Sequence, residues 1–215
     1  MADLMSIKEE LVIRLRNADI IPISTRSVTT LSESFNGTGA AFSFTLTNNT
    51  VKNIRSVTVG GSPEYWYDDY TVNYSTGVVT FLSAPPLGTG NVVIVYDYGA
   101  TDRIFPDYPQ AWLKQNSFPR IAVDLVSGSS TEHALGAESV WTEFTTTIIC
   151  YDKSETNVEN LVTKTRDFLR ANKKSFHNFP FITPTNTGPI IVSPFGENKI
   201  LQRNQDARIR FIYET

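Results

Sequence analysis

A chain of 215 residues, 40% hydrophobic and 19% charged, is long enough for one large domain or two small ones and too apolar to be disordered throughout. The net charge is −3, and residues 31–100 set Lys52 and Arg55 against Glu33, Glu64, Asp68, Asp69 and Asp97, so neither part of the chain resembles a basic nucleic-acid platform. No uncharged apolar run approaches the roughly 20 residues of a membrane helix, and MADLMSIKEELVIRLRNAD interleaves charge where a signal peptide needs an apolar stretch; a soluble protein made in a cytoplasm is expected.

Near the N-terminus, Ser6 and Glu9 in SIKE have the spacing of a capping box, and Leu4, Ile7, Leu11, Val12 and Leu15 recur at helical intervals. The helix should end near Asn17–Asp19, because IIPIS follows with β-branched residues and Pro22. From about Glu33 the period changes to two. AAFSFTL places Phe42, Phe44 and Leu46 on one face, RSVTVGG pairs Val57 with Val59, and DDYTVNY alternates Tyr70, Val72 and Tyr74. STGVVTF and NVVIVYDY complete the series, with SAPPLGTG turning the chain between them. Short strands so closely punctuated predict a small antiparallel sandwich or barrel over residues 33–99.

Beyond Gly99, DYPQAWLKQNSFP has room for one or two helical turns started by Pro109 and stopped by Pro119. RIAVDLVS and SVWTEFTTTIICY are strands, and the polar GSSTEHALGAE between them, Gly128 to Glu138, reads as a loop. A second helix runs from about Ser154 to Lys173, with Val158, Leu161, Val162, Thr165, Phe168 and Leu169 on one stripe and Arg166, Arg170, Lys173 and Lys174 toward the negative end of its dipole. PIIVS and ARIRFIY supply closing strands, the latter setting Arg208 and Arg210 on a solvated face. The expected fold class is α+β: a two-layer antiparallel sheet with helices on one face, built from residues 1–32 and 100–215 and carrying an inserted all-β, sandwich-like module at 33–99.

Chemistry is sparse. Cys150, the single cysteine, lies in a strand and reads as a buried thiol rather than a nucleophile. His133 and His177 stand in loop-like segments with no second ligand at metal spacing, and the local signatures of phosphate loops, nucleophile elbows and zinc proteases are absent, so no enzyme, metal or cofactor is expected. Glu64, Asp68 and Asp69 are expected to diverge unless the chain bends. In PEYWYDDY, Tyr65, Trp66 and Tyr67 are candidate exposed aromatics, suited to glycan or protein contact; the alternative is that half of this cluster lines the module's core. The loop supplies a candidate interface: Ser129, Thr131, His133, Leu135 and Glu138.

With the insertion set aside, SIKEELVIRLRNAD, FPRIAVDLVSG, SVWTEFTTTIICYDKSE, NVENLVTKTRDFLRAN and ARIRFIY follow one another in an order that resembles the tail terminator (tail completion) proteins of tailed phages. The block from FNGTGAAFSFTL to VVIVYDYG is similar to small β modules of virion and tail proteins, although typical terminators are shorter and lack it. The resemblance implies a homo-hexameric ring at the head-proximal end of a tail, in the neck of the virion. Its implied partners are the tail tube protein and a head-side connector or stopper, with DNA passing through the lumen unbound and no membrane involved. The alternative is a glycan- or protein-binding module of a tail fibre or baseplate.

Overall fold

The computed structural model describes residues 4–100, 102–106, 118–132, 139–195 and 198–214. The chain divides into two compact units, one split between Met1–Ile21 and Arg103–Thr215 and one inserted, Pro22–Asp102. The insertion is thus wider than the 33–99 its alternation suggests.

Helix α1 (Leu4–Asn17) opens the split unit and ends where the β-branched residues begin. Ser6 already lies inside it, so the expected capping box is not its start. The inserted unit then runs through α2 (Ile23–Arg26), β1 (Val28–Gly37), β2 (Ser43–Thr45), β3 (Val51–Val59), β4 (Ser62–Glu64), β5 (Tyr70–Asn73), β6 (Val78–Phe81) and β7 (Gly88–Gly99). These strands make two antiparallel sheets, ordered β1-β7-β3-β4 and β2-β6-β5. Both feed one buried cluster, Val51, Ile54, Val57, Val92, Ile94 and Tyr96 from the first and Phe44, Tyr70, Val79 and Phe81 from the second. Phe42 does not join it. Its carbonyl accepts from the Phe81 N–H at 2.8 Å, but Phe42 stays 48% exposed.

Where the chain enters and leaves this unit, charge is buried. Arg26 holds Asp102 through Nε (3.1 Å) and Nη2 (2.8 Å) and reaches Asp97 at 3.1 Å. Asp97 also accepts from Arg55 Nε at 2.6 Å and from Thr30 Oγ1 at 2.7 Å. The network ties α2, β1, β3 and the end of β7 together.

The split unit resumes with β8 (Ile104–Phe105), β9 (Arg120–Glu132), β10 (Ser139–Asp152), α3 (Glu155–Ala171), β11 (Phe181–Thr187), β12 (Ile191–Phe195) and β13 (Asn198–Glu214). Its sheet runs β11-β13-β10-β9-β8, with β12 also on β13; the β8–β9 pair is parallel, so the sheet is mixed rather than wholly antiparallel. Ile7, Leu11 and Leu15 of α1 and Leu161, Val162 and Leu169 of α3 share one buried cluster with Ile121, Val123, Ile148, Cys150 and Ile209 of the sheet. Ala122, Tyr151 and Ile200 form a separate cluster with Phe118 and Ile149. Glu10 of α1 fastens the segment after α3, accepting from the backbone N–H groups of His177 (2.7 Å) and Asn178 (2.8 Å).

Two differences from the sequence reading have local causes. The segment Gly128–Glu132, expected as loop, belongs to β9, whose pairing with β10 continues to Glu132↔Val140. Gly128 stands opposite Phe144, and a Cβ there would lie 2.4 Å from the Phe144 ring, so this glycine seats an aromatic inside a strand rather than marking a turn. FITPTNT, unassigned in the sequence, is β11; it tolerates Pro184 because it lies at the sheet's edge. The helical turns expected in DYPQAWLKQNSFP fall almost wholly outside the described residues.

Candidate functional site

The turn between β4 and β5 gathers the densest chemistry of the inserted unit. Tyr67 takes a positive φ of 70°, Trp66 bridges to Tyr70, and the Asp69 N–H donates to the Tyr65 carbonyl at 2.9 Å. The carboxylate of Asp69 accepts from the Tyr65 N–H at 2.8 Å and closes the turn from its other side. This bend supplies the one condition under which the carboxylates converge: Glu64, Asp68 and Asp69 all line one cleft, together with Phe81, Leu82 and Pro86 of FLSAPPL. The sequence signal that was available is the run of polar and aromatic residues too long for a two-residue hairpin.

The cleft encloses about 170 Å3, below the roughly 300–1,000 Å3 of sites that enclose a small molecule. Its acidity is felt internally. Partial burial and then the neighbouring Asp69 charge raise the Glu64 carboxyl above its ordinary value. A notch of this size and sign suits one cationic or hydroxyl-bearing group. No set of three His, Cys, Asp or Glu among the described residues is placed to hold a metal ion.

Of the aromatic candidates, Tyr65 and Tyr67 are each 40% exposed. Trp66 is not their equal. It packs half-buried against the unit's core and tilts over Tyr67 with ring centroids 3.9 Å apart. Tyr70 is buried, and desolvation pushes its hydroxyl well above the usual range.

The interface candidates divide differently. Ser129 is exposed on β9 opposite Glu143, and Thr131 pairs with Trp141; both are strand positions rather than loop positions. His133, Leu135 and Glu138 lie outside the described residues. Across the same sheet, Glu143 meets Arg208 at 2.8 Å and Arg210 at 2.7 Å, which occupies these two arginines of β13. Cys150 is wholly buried with Thr165 Oγ1 4.0 Å from its sulfur, and burial pushes its thiol up to about 12. A thiol so protonated is inert as a nucleophile near neutrality.

Among the described residues no helix is long and apolar enough to cross a membrane. No protein-family model matches the chain, and no curated protein matches it.

Proposed function

We propose that this chain is a structural virion protein of the tail-terminator kind. In this reading it forms a ring, taken as a hexamer, at the head-proximal end of a phage tail, ends polymerisation of the tail tube and joins the tail to a head-side connector or stopper. The inserted unit is read as a sandwich-like virion module.

One observation carries the reading. Strands β9, β10 and β13 continue side by side to Glu132, Ser139 and Glu214, past Phe144, which packs against the helix-bearing core. A three-stranded arm of this kind offers its neighbours a preformed surface, and heterologous contacts through such surfaces close into rings when the rotation permits. Near-balanced charge fits a lumen through which DNA slides, since phosphate affinity rests on clustered Lys and Arg. Negative-stain imaging with light scattering on the purified chain tests the proposal: closed rings support it, and monomers at every concentration, with no capping of tail tubes, count against it.

Tyr65 and Tyr67 beside the acidic cleft favour a second reading, a glycan- or protein-binding module of a fibre or baseplate. Glycan binding by the whole chain, lost in Tyr65→Ala and Tyr67→Ala, would move the assignment there.

A further inference from the structure

Strand β1 ends the four-stranded sheet of the inserted unit and pairs on one side alone, with β7, from Val28↔Gly99 to Gly37↔Gly88. Between Val28 and Asn36, its backbone groups have no hydrogen-bond partner other than β7 among the described residues. An edge left this way is a template for another strand, and proteins blunt such edges by shortness, proline, charge or a bulge. The other outer strands here are blunted. β2, β4, β5 and β8 have two to four residues, while β11 and β12 carry Pro184 and Pro194. Where β9 runs beyond β8, it carries Asp124 and a bulge at Val126. β1 has ten residues, with no proline and no basic side chain, and its one break in register falls at its end, between Phe35 and Gly37. Its one charge is drawn back, because the Glu33 carboxylate accepts from Thr47 N–H (3.1 Å), from Thr47 Oγ1 (3.0 Å) and from the Tyr96 hydroxyl.

We propose that the open edge of β1 pairs antiparallel with β1 of a second copy of this chain, joining two inserted units through one continuous sheet. The edge presents almost no charge with which to recruit an oppositely charged strand from a different protein. Its own copy fits. Thr30, Ser32, Ser34 and Asn36 are exposed and uncharged, so they meet their counterparts without like-charge repulsion. Leu31 and Phe35, packed only partly against the core, gain cover from the adjoining strand. Among registers that keep the two inner faces continuous, only the one centred on Glu33 sets the carboxylates against each other.

Such a pair is isologous and closes at two. It therefore doubles whatever assembly the split unit makes and does not extend it. The test compares the full chain with Ser32→Lys/Ser34→Lys, whose new side chains fall at exposed positions; a melting curve confirms that the variant is folded. Light scattering at matched concentrations should give the wild type twice the mass of the variant. Hydrogen exchange should show consecutive β1 amides protected in the wild type, and only alternate amides in the variant. Equal masses, or alternate protection in both proteins, overturn the pairing. A wild-type dimer that the lysines reduce to a monomer supports the pairing and counts against the ring; a ring unchanged by the lysines does the reverse.

Discussion

Arg26 has no solvent exposure, and neither has Asp97. One guanidinium thus stands between two carboxylates in an environment where an uncompensated charge is expensive, and the fork that holds Asp102 leaves Nη2 shared with Asp97. Removing one partner of a buried pair costs about 3–5 kcal/mol, because the other stays charged and dry. Arg26→Met should therefore lower the melting temperature of the inserted unit by ~10 °C or more. Arg55→Met should cost less, since that side chain is partly exposed. Equal melting of Arg26→Met and the wild type would show that the network contributes little. Cys150 gives a second check on burial. Its thiol is raised from 9.0 to about 12, so the protonated form is favoured in the folded state. That contribution to stability is complete below pH 9.0 and is lost as pH rises through about 12. A thiol-specific reagent at pH 8 should leave the native protein unlabelled and label it fully on denaturation; labelling of the native protein would mean that the site opens readily.

Helix α3 was legible in the sequence because Val158, Leu161, Val162, Thr165 and Leu169 form one stripe, and all five are buried. Strands β2, β3, β5, β6 and β7 were legible for the analogous reason, an alternation that survives where one face meets a core; β4, three residues with little burial, offered no such period. Strand β1 was not. Leu31 and Phe35 of VTTLSESFNG pack partly against the unit's cluster and Val28 is buried at the strand's start, so their spacing left almost no period of two to read. Gly128 misled for a different reason, since its role depends on Phe144, which lies across the sheet and not beside it in sequence. The acidic cleft was hidden likewise, because its carboxylates converge only through a bend that alternation cannot announce. These boundaries can be tested by excision. Replacing Pro22–Asp102 with a short Gly/Ser linker should leave a split unit that melts cooperatively. Replacing residues 33–99 should do worse, because it cuts β1 in half and strips Arg26 of Asp97 while leaving both Arg26 and Asp102 in place. Calorimetry of the two variants decides the matter, and identical melts would refute the wider boundary.

The molecule distributes its work between its units. The split unit supplies long paired strands and two helices in one core, and the inserted unit supplies an acidic cleft, two exposed tyrosines and an open strand edge. If the arm of β9, β10 and β13 builds the ring, shortening it should abolish assembly without unfolding the subunit. The cut follows from the packing. Phe144 packs against the helix-bearing core and stands opposite Gly128, so a two-residue turn joining the two removes Ser129–Glu143 and keeps that contact. Among the side chains described, the cut removes the buried Thr142 and the Glu143 pairs to Arg208 and Arg210, which are exposed. Exposed pairs contribute about 0–1 kcal/mol each, and each kcal/mol lost lowers melting by roughly 2–8 °C. The shortened protein should melt as one cooperative species, scatter light as a subunit rather than a ring, and leave tails unfinished or overlong. Intact rings and normal tail length from this variant would remove the arm from the assembly mechanism and place the ring contacts elsewhere on the chain.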